Sequence, residues 1–440
     1  MKQETLFFLD AQRSSFTGLI ESFHNSSKYL YSPAGANFTL IEEGYLGKQC
    51  FTYDQALAVI AYTLLGEFEK ARHILDLLSF NFHIGKGNNI GLFNSYKTDG
   101  LCEDGKTLIM GIDGDRIHAG PNLWLGLACF HCTLLSKDSS FLPLCLEIIK
   151  WSIHKLQHYS LKDGQRGGIS MGFGWGANWQ QVYSTENNVD YYALLNLLEY
   201  SYSEHSFTRD AFVKAGLHLH EIQREKNGIK RWLREVVYNT AEGYFYAGFN
   251  ENGIDVTKAL DTTTFTILSF GIPVLREMGI DPELLIANAE KFLKVEIIIK
   301  DKKFCGFDFT DNKILATNRS PLIWIEGTYQ MILTYKIMAK YFHDQGDLNK
   351  FNYYQDKTNE YLTYMNSLIG TLDAEFHIPS YASANPTDKD IIMTFRDEWE
   401  LPRGDKGQYV PALVSSVWRL MCFMNFNPMS ENSFFSDQVK

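Results

Sequence analysis

The residues best suited to chemistry in this 440-residue chain are carboxylates set beside tryptophans. Glu326 lies in SPLIWIEGTYQ, between Trp324 and Gly327, an apolar stretch where a charged group needs a reason. Glu186 lies in STENNVDYYALL, four residues before Asp190, so both project from one helix face. A carboxyl beside a tryptophan is desolvated, which favours its protonated form and suits a proton donor. A carboxylate at a helix N-terminus, with Asn187 and Asn188 alongside, favours the ionised form and suits a base. Such a pair is the chemistry of sugar cleavage. One carboxylic acid protonates the leaving oxygen while a carboxylate activates water or attacks the anomeric carbon. Asp54, Asp190, Tyr53, Asp113, His118, Asn122 and Arg319 are the candidate holders of sugar hydroxyls, and Trp175, Trp179 and Trp324 the rings for sugar faces. Glu43, Asp113 and Asp261 are further carboxylates from which a catalytic pair could come, as is Asp54. The bland reading has force: acids in a first helical turn gain about 0.3–1 kcal/mol from the helix dipole, which would explain Asp54 and Glu186 alone.

Those residues are positioned if each opens a helix. Ser184 or Thr185 caps a helix over 184–203 whose Tyr191, Ala193, Leu194, Leu195, Leu197 and Leu198 are apolar nearly all round, as in a helix enclosed by others. The pattern recurs at 56–65, where Thr52 and Gln55 read as a capping box, at 121–135 opened by Pro121, and at 257–278, 320–342 and 408–426. Each of the first five precedes an amphipathic partner, at 67–80, 139–158, 206–238 (long or broken), 281–297 and 347–369. The sixth lacks one, and an N-terminal helix over 4–25 is spare to supply it. The reading is all-α: an (α/α)6 toroid of six inner and six outer helices, one domain over 1–440, with the N-terminal helix completing the outer ring. An open solenoid would end on a helix with a polar outer face, and helix 408–426 has none. Long loops at 26–52, 81–120, 159–183, 239–256, 298–319 and 370–407 then gather at one rim, where function concentrates.

Composition bounds the partners. A net charge of −11 argues against nucleic acid, which wants a basic face. No run approaches the ~18 apolar residues of a membrane helix. The N-terminus lacks the apolar core and cleavage site of a signal peptide, so the expectation is a cytoplasmic protein, with export by another route left open. Seven cysteines without framework spacing fit a reducing compartment. Cys129 and Cys132 form a lone C-x-x-C within a predicted helix and read as buried thiols, so neither metal nor cofactor is implied. Aromatic enrichment to 14% points to a carbohydrate partner, and the oligomeric state is left open.

FTYDQALAVIAYTLLGEFEKARHILDLL, AGPNLWLGLA, STENNVDYYALL and WIEGTYQMILTY resemble the recurring segments of bacterial six-hairpin glycosidase-type proteins, whose pattern reads roughly YTYDQALALIA, STEHN-D-Y and W-EGTAQ. The resemblance spans about 40–342 and weakens through 370–407. Asn187-Asn188 stands where the pattern has His-Asn, so that histidine's role is not supplied here. The resemblance implies an (α/α)6 toroid and a glycoside hydrolase, inverting, with acid and base about 6.5–9.5 Å apart. A sugar epimerase or polysaccharide lyase on the same ring would lean on a His or Tyr base, for which His118 is the chief histidine. A zinc-dependent peptide cyclase would need Cys and His ligands at helix ends, whereas Cys129 and Cys132 sit mid-helix. A non-catalytic carbohydrate-binding toroid would keep the tryptophans and need neither glutamate.

Overall fold

The computed structural model describes residues 1–23, 48–84, 91–111, 114–174, 178–311, 321–372, 377–383, 411–431 and 433–434, with the backbone of short strands at 29–30, 394–395, 399–400 and 403–404. Six helices with little polar surface form the inner layer: α2 (Thr52–Leu65), α4 (Ala119–Ser136), α6 (Thr185–Glu204), α9 (Asp261–Glu277), α11 (Ile325–Asp344) and α13 (Leu413–Phe423). Each packs on the next, and α13 packs back on α2, so the ring is closed. The outer layer comprises α3 (Phe68–Ile84), α5 (Leu142–Lys155), α7 (Ser206–Ala215) with α8 (Leu219–Trp232), α10 (Pro282–Leu293) and α12 (Leu348–Leu372), each against the inner helix before it. Remaining α1 (Lys2–Ala11) lies against α13 and α2. The architecture is an (α/α)6 toroid. Burial explains the composition of the inner helices: α2 is buried at every position from Asp54 to Thr63.

Several boundaries differ from the sequence reading, each for a local reason. Helix α1 stops at Ala11, well short of residue 25, because the Ser14 hydroxyl takes the N–H groups of Phe16 and Thr17 and Gly18 turns the chain with φ +73°. The expected helix 281–297 ends at Leu293. Lys294–Ile299 instead pairs antiparallel with Lys302–Phe307 through Lys300 and Asp301, both at positive φ, the signature of a tight hairpin turn. Helix α9 is interrupted at Gly271 just before Pro273. The capping box at Thr52 is absent. Its hydroxyl donates to Phe93 O at 2.5 Å, and Gln55 reaches back to both the N–H and the C=O of Ile20 (2.9 and 2.6 Å). The Ser184 cap is present, accepting from Asn187 N–H at 3.4 Å.

The loops before the inner helices carry small antiparallel sheets, among them Gln49–Phe51 with Ser95–Leu101 and Leu108–Met110, and Arg116–His118 with Gly172–Gly174. All seven cysteines are free, and only Cys102 is exposed. No helix among the described residues is long and apolar enough to cross a membrane.

Candidate functional site

The first turns of the inner helices converge. Tyr53 in the first turn of α2 donates its hydroxyl to Glu326 Oε1 in the first turn of α11 at 2.7 Å, and accepts from Trp418 Nε1 of α13 at 3.0 Å. Gln330, one turn after Glu326, donates to the same Oε1 at 3.2 Å, and its own carbonyl accepts from Thr264 of α9 at 3.1 Å. A tyrosine hydroxyl has one proton. With Trp418 fixed as a donor, that proton has to be directed at Glu326. On α4 and α6, Trp124 Nε1 donates to Asp190 Oδ1 at 3.1 Å. The rings of Tyr53, Phe265 and Trp418 enclose Trp124, with centroids 5.2, 5.6 and 5.8 Å away. Six inner helices thus meet in one polar cluster with aromatic walls.

Burial sets the protonation states. Glu326, 3% exposed, is pushed up to about 8, chiefly by desolvation; the donated Tyr53 bond opposes this, and the charges of Asp54 and Asp261 add to it. Asp54 is raised to about 7 by burial, against the Ser22 hydroxyl that bonds it. Asp190 is raised well above the carboxylate range, first by burial and then by the charge of Asp261. Its Oδ2 has no partner among the described residues. Glu186 is half-buried in the first turn of α6, and its charge acts on both Tyr53 and Tyr381, as does that of Glu326.

One detail places the Glu326 proton. Both donors, Tyr53 and Gln330, bond Oε1. An oxygen already accepting two hydrogen bonds is a poor seat for a proton. The carboxylic acid hydrogen therefore belongs on Oε2.

Other sequence candidates take different positions. Glu326 occupies the first turn of α11, because the helix starts at Ile325. Asn122 gives its whole side chain to the Leu92 backbone and the His118 carbonyl, which makes it a strut of the wall. Trp324 is also wall. Phe309 stacks on it at 4.6 Å, and a Cβ on Gly327 would lie 2.1 Å from its ring, so glycine is required there. Trp179 meets His118 edge-on at 4.6 Å, with the Arg116 guanidinium 5.6 Å from its centroid. Asp113, Trp175 and Arg319 lie outside the described residues, as does Glu43. Sequence reasoning missed Trp418, hidden in a uniformly apolar helix, and Gln330, whose i+4 spacing from Glu326 was the available signal.

No family model and no curated protein matches this sequence. Solved structures do match. An alanine-for-glutamate variant of a glycosidase aligns over 96% of this chain and 95% of its own, with TM-score 0.56 and 8% identity. A second glutamate-to-alanine variant of a glycosidase, in complex with glucose, gives TM-score 0.54 at 8% identity over 96% of this chain and 95% of its own. Cellobiose 2-epimerase from Bacillus thermoamylovorans gives TM-score 0.53 at 11% identity over 95% of this chain and 96% of its own. The fold of this chain is that of the six-hairpin glycosidase-like (α/α)6 toroids.

Proposed function

We propose that this protein is a glycoside hydrolase acting on an oligo- or polysaccharide, with Glu326 as general acid and Glu186 as general base of an inverting reaction. The observation that carries the reading is the Glu326 carboxyl. It is buried, pushed up to about 8, and loaded with two donors on Oε1, so at neutral pH it offers a proton from Oε2. An acid of that kind protonates a glycosidic oxygen as the bond to the anomeric carbon lengthens. Glu186, on a helix N-terminus and nearer solvent, is suited to take a proton from the attacking water. Asp54, Asp190 and Tyr53 are the proposed holders of sugar hydroxyls beside this pair, next to the rings of Trp124 and Trp418. Asp113, Trp175, Trp179 and Arg319 remain proposed sugar contacts. Structurally similar glycosidases have been solved with a glutamate or a tyrosine replaced, residue types that the proposed site also holds. The whole chain acts as one toroid domain, with α1 taking the sixth outer position beside α3, α5, the α7–α8 pair, α10 and α12.

The test is a glycan screen of the wild type, followed by Glu326→Gln and Glu186→Gln. Each should cut turnover about 100- to 10,000-fold with the fold intact. A substrate with a good leaving group needs little acid assistance and should rescue the first variant only. Unimpaired variants would send the search to Asp54, Asp113, Asp261 and Glu43. The cellobiose 2-epimerase neighbour favours a second reading, a sugar epimerase. Recovery of an epimer with no new reducing end would select it.

A further inference from the structure

His118 is a titratable group of this rim that the acid–base pair leaves unused, and its surroundings decide which nitrogen carries its proton. Asn94 is clamped by its own backbone: its N–H donates to Arg116 O and its C=O accepts from Thr52 N–H, both at 2.8 Å. The Asn94 side chain cannot flip, because Oδ1 accepts the His118 backbone N–H at 3.0 Å. Nδ2, a donor, therefore faces His118 Nδ1 at 2.9 Å. Two donors cannot share that contact, so Nδ1 presents its lone pair and the single ring proton sits on Nε2. A second proton is opposed by burial and by the Arg116 charge, which hold His118 down to about 3, and by its place as N-cap of α4. His118 is 3% exposed, and Nε2 has no partner among the described residues. Through Asn94 it is tied to Thr52, the neighbour of Tyr53, and its ring meets Trp179.

We propose that His118 is a fixed, neutral Nε2–H donor to an oxygen of the bound sugar, set by Asn94, and not a proton-accepting base. This rests on the carbohydrate reading above and deepens it, because an Nε2–H has no lone pair with which to abstract a proton from carbon.

The test uses the full chain with ¹⁵N-labelled histidine, the His118 signals being assigned by their loss in His118→Phe. In the wild type Nδ1 should be the unprotonated nitrogen, with no titration near the ordinary value of about 6.5. Asn94→Asp offers Nδ1 an acceptor in place of a donor, so it should move the proton to Nδ1 or bring the titration into range. Sugar binding is then read with glucose, cellobiose and maltose. Any of these that binds should shift the His118 Nε2–H signal, and His118→Phe should weaken it about 3- to 10-fold. His118→Gln, which keeps an N–H near the same place, should recover most of that loss. A protonated Nδ1 in the wild type would overturn the proposal and leave the carbohydrate reading standing. So would binding that His118→Phe leaves unchanged, or turnover abolished alike by Phe and Gln as for a base. A wild type that binds none of the three and cleaves no glycan would instead overturn the carbohydrate reading, and the sugar donor role with it.

Discussion

Glu326 holds a proton at neutral pH because desolvation outweighs the bond from Tyr53, and that balance is open to measurement. The proposed acid role requires the protonated form, so turnover should fall as pH rises through about 8. Tyr53→Phe removes the largest opposing influence, so the alkaline limb should move to higher pH. Turnover should drop about two- to tenfold, the worth of one hydrogen bond between neutral groups. An alkaline limb unmoved by Tyr53→Phe would separate it from Glu326. The same shift has a stability sign. The folded chain holds protons on Glu326 (about 8) and Asp54 (about 7) that an unfolded chain releases near pH 4, so this stability is full below that value and is lost as pH rises through 7 and 8. Glu326→Gln, neutral at every pH and able to accept from Tyr53, should be inactive yet melt higher than wild type above about pH 8, by on the order of 1–3 °C. A melting-temperature difference independent of pH would contradict the assigned proton.

The inner helices were legible because enclosure leaves no polar face: the run Tyr191 to Leu198 cannot belong to a surface helix, and each such run is an inner helix of the ring. The hairpin at 294–307 was not, since KVEIII continues an amphipathic helix pattern until Lys300 and Asp301 turn the chain. Likewise Glu326 was legible from Trp324 and Gly327 beside it, whereas its partner Tyr53, and Trp418 that donates to Tyr53, lie 273 and 92 positions away and only the closed ring unites them. Gln55 shows how a correct residue can carry the wrong role. It resembles half of a capping box, but it spans from α2 to the N-terminal segment, satisfying both polar groups of buried Ile20. Gln55→Ala would orphan them both, at about 1–3 kcal/mol. Hydrogen exchange at the Ile20 amide should accelerate with it. An effect confined to the first turn of α2 would restore the cap reading.

Closure of the whole ring depends on the N-terminal segment more than on α1. Ser22 carries the joint: its C=O accepts from Leu413 N–H at the start of α13 (3.0 Å), its N–H donates to Gln49 O (3.0 Å), and its hydroxyl accepts from Phe51 N–H (2.9 Å) while bonding Asp54. Phe23 bridges to Ala412 beside it. Helix α1 contributes packing, through buried Phe8 and Leu9 against α13 and α2, and the Asp10 carboxylate, which accepts from the Tyr62 hydroxyl (3.1 Å) and pairs with half-buried Lys70. Two truncations separate these roles. Removing residues 1–11 uncovers apolar surface on α13 but leaves Ile20 and Ser22 in place, so the chain should fold with a lowered melting temperature and the proposed sugar site intact. Removing residues 1–23 takes the joint away, leaving Gln55 and Asp54 without partners and the first amide of α13 free. Unpaired buried groups cost more than lost contacts, so this chain should aggregate or bind dye as a loosened ring. An open array of hairpins would tolerate both cuts alike, because each repeat there answers only to its neighbours. Equal, mild losses in the two truncations, with the hydrodynamic radius unchanged, would therefore end the claim that the chain is one closed unit.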